Sequence, residues 1–161
     1  MEYILLLTAC INPDGMPFTC LADVGVRKKQ YIEALNFYLK NTTRKIVFVE
    51  NSGTDISSSF KDFQHRIEFL CFDGNLCFDK RKGKGYGEAL ILEYAMAKSE
   101  FITDDVLIFK LTGRLQLINI NRLIHYMDKL SPSKNFVCVV PPQNNSVDVL
   151  SVTNTIWRIS F

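Results

Sequence analysis

The segment VLIFKLTGR, residues 106–114, places a lysine in a strongly apolar run and follows it with an arginine. Burying an ammonium is costly, so Lys110 must either leave the core or meet an anion. Arg114, reached through the permissive Gly113, offers a planar fork suited to a diphosphate. The simpler alternative is that Lys110 snorkels to the sheet edge and Arg114 makes a surface pair. A second segment, RKGKGYGEA at 81–89, alternates glycines with cations just ahead of the helix-prone LILEYAMAK. Bare backbone and the partial positive charge of a helix N-terminus suit a phosphate-bearing ligand. Its GxGxG spacing matches neither GxGxxG nor GxxxxGK[ST], and a flexible basic loop is the competing reading. Asp104-Asp105 falls at the start of the apolar run and reads as a turn cap. His65 and His125 have no ligand-spaced partner, and no nucleophile-elbow sequence occurs.

Such residues need elements to present them. Near-continuous apolar runs at Tyr3–Ala9, Lys45–Glu50, Ile67–Phe72, Val106–Thr112 and Phe136–Val140 predict strands buried on both faces. Helical periodicity falls between them. Over 27–40, Tyr31, Leu35, Tyr38 and Leu39 share a face and Asn41 is a stop. Residues 87–99 are apolar almost all round and read as a deeply packed helix. Over 120–130 a stripe of Ile120, Leu123, Ile124, Met127 and Leu130 follows Asn119 or Asn121 as cap. This order predicts an α/β fold, a three-layer α/β/α sandwich with a mostly parallel sheet and right-handed crossovers. Residues 1–161 read as a single domain, and 141–161 as a turn followed by a final strand. Ligands of open α/β sheets bind beyond the carboxyl ends of the strands. That rule gathers Thr8–Pro13, Glu50–Gly53, Phe72–Gly74 and Lys110–Arg114 on one edge.

Composition narrows the class. The chain has 161 residues, is 47% hydrophobic and carries a net charge of +2. That is the profile of a globular domain, and too weak a charge to argue for a nucleic-acid partner. The five cysteines form no CxxC pair, so disulfides and a thiolate metal site are not expected. Cys10, Cys71 and Cys138 lie in apolar runs and read as small buried hydrophobes. The opening MEYILLLTAC reads as a strand, since it lacks a basic start and ends at Asn12-Pro13-Asp14. No membrane-spanning stretch is present, and a cytoplasmic protein, peripheral at most to the inner membrane, is expected.

Taken together, YILLLTACINP, RKKQYIEALNFYL, KIVFVENSG, KGKGYGEALILEYA and FKLTGR resemble a group of small bacterial glycosyltransferases. These have a GT-A-type nucleotide-diphospho-sugar fold and serve capsule, O-antigen lipopolysaccharide or other surface-polysaccharide synthesis. The resemblance covers about residues 3–140. It implies a nucleotide-diphospho-sugar donor and a glycan or lipid-linked acceptor. Thr8, Ala9 and Asn12 would lie along the nucleotide, and Glu50, Asn51 and Ser52 near base or ribose. Gly85, Gly87 and Glu88 would line the phosphate or sugar pocket, with Gly113 beside it. Lys110 and Arg114 would stabilise the leaving diphosphate, and Glu88 is the candidate base. GT-A enzymes usually hold a divalent metal such as manganese or magnesium on an Asp-x-Asp motif. That motif is missing at this position, which leaves two expectations: direct cationic replacement by Lys110 and Arg114, or a different dependence on a divalent metal. Residues 1–161 are expected to supply the donor-binding half of such a fold, and a homo-oligomer is compatible with an open sheet edge. Two alternatives stand beside this reading. One is a non-catalytic nucleotide-sugar-binding or assembly module. The other is a sugar nucleotidyltransferase, against which the cation-free TACINPDGMPF counts.

Overall fold

The computed structural model describes residues 2–16, 19–74, 79–104 and 106–128. The predicted strand Phe136–Val140 and the segment 141–161 lie outside the described residues, as does Asp105. Strand β1 (Glu2–Ala9) is followed by helix α1 (Val24–Asn41) and strand β2 (Lys45–Glu50). Strand β3 (Ile67–Cys71), helix α2 (Gly83–Lys98), strand β4 (Val106–Thr112) and helix α3 (Ile120–Asp128) complete the order. The strands form one four-stranded, all-parallel sheet in the order β3-β2-β1-β4. In register, Leu5 lies between Ile46 and Phe109, so the apolar runs stack across the sheet.

Alternate residues serve opposite faces, as the period of a strand requires. Leu5, Leu7, Phe48 and Phe109 pack under α1 and α3, through Tyr31, Leu35, Tyr38, Ile120 and Ile124. Ile4, Leu6, Val47, Val49 and Ile108 pack under α2, through Ile91 and Ala95. With helices on both faces, the three-layer α/β arrangement expected from the sequence is what forms.

The boundaries carry their own physics. α1 begins three residues before the apolar periodicity does, because Asp23 caps it by accepting from Val26 N at 2.8 Å. It ends where Thr42 returns both its N–H and its hydroxyl to Tyr38 O. Of the two asparagines offered as the cap of α3, Asn121 lies inside the helix and donates to Asn41 O at 2.6 Å. Residues 57–63, left without an element by periodicity, form a short 3-10 stretch kinked at Phe60.

Two sequence expectations are corrected. The glycines of RKGKGYGEA lie in the first turns of α2 and not in a loop ahead of it, because a 3-10 turn at Lys80–Lys82 leads into the helix. Gly83 makes that junction with φ of 79°, a left-handed conformation that favours glycine. Cys71 is exposed and not a buried hydrophobe, because it ends β3 at the sheet edge, and Cys10 is half-buried just beyond β1.

Tyr38 ties α1 to the chain after β4. Its hydroxyl donates to Leu115 O at 2.8 Å and accepts from Leu117 N at 3.1 Å. Replacing it by Phe leaves both main-chain groups without that partner and is expected to cost about 1–3 kcal/mol in urea unfolding. Burial pushes the phenol from 10.0 up to about 12. The unfolded chain therefore releases this proton first as the pH rises. The stability involved is present in full below pH 10 and lost as pH rises through about 12. Unfolding of wild type and Tyr38→Phe across that range should show a steeper loss in the wild type, the remaining slope coming from Tyr31 and the cysteines.

Candidate functional site

The chain leaves β1 toward β2 through α1 on one face and passes from β3 to β4 through α2 on the other. Strand order thus reverses at β1, and the crevice beyond its carboxyl end is the topological switch point where α/β sheets place ligands. A cleft of about 450 Å³ opens there. Its walls come from the end of β1, the start of α1, the end of β2, the first turns of α2 and the turn after β4.

The β1–α1 wall is held by buried charges acting through main chain. Glu50 is 1% exposed and accepts from Ile11 N (2.8 Å), Ser52 N (2.9 Å) and Thr54 N (2.8 Å), with the Ser52 hydroxyl bonded to it as well. Arg27 is 7% exposed and donates from the other side. Its Nε–H is shared between Cys10 O (2.9 Å) and Ile11 O (3.1 Å), Nη1 reaches Leu21 O (3.1 Å), and Nη2 bonds Cys10 O. The peptide joining Cys10 to Ile11 is therefore clamped, with Glu50 on its N–H and Arg27 on its carbonyl. The Tyr31 hydroxyl accepts from Cys10 N of the preceding peptide at 3.0 Å and donates to Cys10 O at 3.4 Å. Burial pushes the Cys10 thiol up, an effect that nearby Arg27 opposes and Glu50 reinforces. Burial likewise raises the Tyr31 phenol.

On the opposite wall, Lys110 is 4% exposed and forms an ion pair with Glu88, whose side chain is 42% exposed. Thr8 also donates to Glu88, at 3.2 Å. Strand alternation explains the pair: Thr8 and Lys110 point to the α2 face with Ile4, Leu6 and Ile108, directly beneath Glu88. The anion that Lys110 needed is one turn into α2, so its charge is spent there.

Of the candidate residues, Thr8, Ala9, Asn51, Gly85, Gly87, Glu88 and Arg114 line the cleft. Lys110 lies under it, as Glu88's support. Asn12 shapes the loop: its N–H donates to Ser52 Oγ (2.9 Å) and its side chain accepts from Asp14 N (3.1 Å). Glu50 and Ser52 hold main chain, as described. Gly113 is a packing requirement, since a Cβ there would lie 2.8 Å from Thr8 O. A Cβ on Gly85 would meet nothing within 4 Å, so the backbone there is open to a close approach. Asn51 Oδ1 is buried without a hydrogen-bond partner among the described residues.

Sequence reasoning missed Arg27 and Tyr31 as residues of the cleft, whereas Cys10, within Thr8–Pro13, and Lys84, a cation of the glycine segment, fall where it put the site. Arg27 and Tyr31 were read only as helix positions; the one available signal was an arginine on the face shared with Tyr31, which should be apolar. No group of three or more His, Cys, Asp or Glu that could hold a metal ion occurs among the described residues. The carboxylate lining the cleft, Glu88, already faces an ammonium. These residues do not fit a divalent metal on a diphosphate. His65 and His125 are exposed, and no helix among the described residues is long and apolar enough to cross a membrane.

No family model matches the chain, and no curated protein sequence matches it. Among solved structures it is similar to the crystal structure of 4-diphosphocytidyl-2C-methyl-D-erythritol synthase, at 13% identity and a TM-score of 0.38. That match covers 98% of this chain and 72% of the other. At so low a TM-score the likeness bears on neither the fold nor the chemistry of this chain.

The Lys110–Glu88 pair predicts an asymmetry. Glu88→Gln leaves a buried ammonium without its anion and is expected to lose about 3 kcal/mol in urea unfolding. Lys110→Met leaves Glu88 partly in water and fills the same space with apolar atoms, at a cost of less than about 1 kcal/mol. The double variant should recover most of the Glu88→Gln loss. Equal losses in the two single variants would show that the pair is not the buried contact described.

Proposed function

We propose that the cleft binds a nucleotide-diphospho-sugar and that the protein is a glycosyltransferase transferring the sugar to a glycan or lipid-linked acceptor. One observation carries the reading: a cleft at the sheet's switch point is lined by Arg27 and Arg114, while its carboxylate Glu88 is neutralised by Lys110. The charge left over is positive and suits a diphosphate. The resemblance of the sequence to small bacterial glycosyltransferases supports the same reading.

In the reaction, an acceptor hydroxyl attacks the anomeric carbon as the bond from that carbon to the diphosphate oxygen breaks. The electron pair leaves with the nucleoside diphosphate, whose growing charge Arg114 stabilises. The acceptor's proton passes to Glu88, which Lys110 and Thr8 hold in position. The open backbone at Gly85 admits the donor's phosphate or sugar to the first turns of α2. No step is assigned to a metal.

A sugar nucleotidyltransferase is the second reading, favoured by Arg27. The β1–α1 loop has no cation in TACINPDGMPF, yet the fold sets this guanidinium against it. A nucleoside triphosphate and a sugar phosphate would then release pyrophosphate, whereas a glycosyl transfer releases a nucleoside diphosphate. Binding without either release would identify a non-catalytic module.

Thermal unfolding against UDP-, GDP-, dTDP- and CMP-sugars, with and without manganese, tests the proposal. Near a hundred times its dissociation constant a donor adds about 2.7 kcal/mol, or about 5–10 °C for a domain of this size. A shift independent of manganese is expected, and Arg114→Ala should weaken it by about tenfold in affinity. No shift with any of these ligands would overturn the proposal.

A further inference from the structure

Arg27 has bonding capacity that its structural duty does not use. A guanidinium carries five N–H donors. Its bonds to described residues engage the Nε–H and both terminal nitrogens on the carbonyls of Cys10, Ile11 and Leu21, and the Cys10 thiol is a further partner of the same group. With five donors, the group keeps hydrogen-bonding capacity beyond these contacts among the described residues. Among the described residues no carboxylate pairs with this group, although it is 7% exposed and lines the cleft. Glu50 is near, yet its bonds go to Ile11 N, Ser52 and Thr54, on the far side of the peptide that Arg27 holds. A buried cation facing carbonyl dipoles and a thiol, with no carboxylate paired to it among the described residues, is an incompletely neutralised charge. It sits at the mouth of β1, with Arg114 on the same cleft.

We propose that Arg27 forms a phosphate subsite of the cleft, at the base of α1 and distinct from the glycine-bearing start of α2. The ligand class is a phosphate or diphosphate monoester or its free anion. The clamp on Cys10, Ile11 and Leu21 fixes the guanidinium plane before the ligand arrives, so little rotamer freedom is lost on binding. The remaining N–H groups meet the phosphate oxygens and the buried charge is neutralised. The identity of the ligand as a nucleotide-sugar rests on the function proposed above; the anion subsite does not.

The test uses inorganic pyrophosphate and the nucleoside diphosphates UDP, GDP, dTDP and CDP as probes, against the matching nucleosides. Thermal unfolding of the full chain should show stabilisation by the diphosphates that the nucleosides do not give. Arg27→Gln, checked for native circular dichroism, should lose at least about tenfold in pyrophosphate affinity. Arg27→Lys, which keeps the charge and loses the fork, should fall between the two.

A measurement on the wild type covers the case in which the variants do not fold. Pyrophosphate should slow iodoacetamide labelling of Cys10, whose carbonyl Arg27 holds, and leave labelling of Cys71 at the sheet edge unchanged. Equal affinity in folded Arg27→Gln, or no protection of Cys10 where the variants fail to fold, overturns the subsite. Pyrophosphate binding that needs Arg27, with no nucleotide-sugar bound, keeps the subsite and removes the glycosyltransferase reading. Nucleotide-sugar binding that ignores Arg27 does the reverse.

Discussion

A single peptide group, between Cys10 and Ile11, sits between a buried carboxylate and a buried guanidinium. Glu50 takes its N–H and Arg27 its carbonyl, so the dipole of the peptide joins two charges that do not touch. Hydrogen bonds to charged groups are worth about 1.5–3 kcal/mol each, and here several act on one turn of chain. The same carboxylate holds Ser52 and Thr54 after β2, and the same guanidinium reaches Leu21 ahead of α1. Three loop segments are therefore positioned together. The wall of the cleft is held together by these bonds, which give Glu50 its main-chain donors and Arg27 its main-chain acceptors.

The opposite wall is fixed by a different device. Lys110 and Thr8 rise from neighbouring strands to the same helical carboxylate, Glu88. A buried pair of this kind contributes little net stability; its consequence is a defined place for Glu88 at the edge of the cleft. α1 is thus referenced to the sheet through main chain and α2 through side chains. Both contacts are made where the strand order reverses, so the two helices keep a set distance across the crevice.

The strands were legible because burial on both faces leaves a local mark: β2 and β4 have the bounds read from Lys45–Glu50 and Val106–Thr112. The amphipathic face of α1 was legible for the same reason. The starts of α1 and α2 were less so, whereas α3 begins at Ile120 as read. Asp23 extends α1 by a capping bond, and a 3-10 turn draws the glycines into α2; both depend on geometry that apolar periodicity does not report. Cys71 shows the limit of composition, since its apolar neighbours say nothing about its place at the edge of the sheet.

The sequence alone determined which residues end the strands, and with them the edge on which the site forms, because strand direction and alternation follow from local order. It also determined that Lys110 needed an anion, since a charge in an apolar run admits few outcomes. Only the tertiary structure decided that the anion is Glu88, 22 residues back along the chain on the facing helix. It alone made Arg27 part of the cleft and turned Glu50 and Gly113 to the service of main chain. Partners in such contacts are chosen by register and helix crossing, and these are set when the layers pack, not by neighbours along the chain.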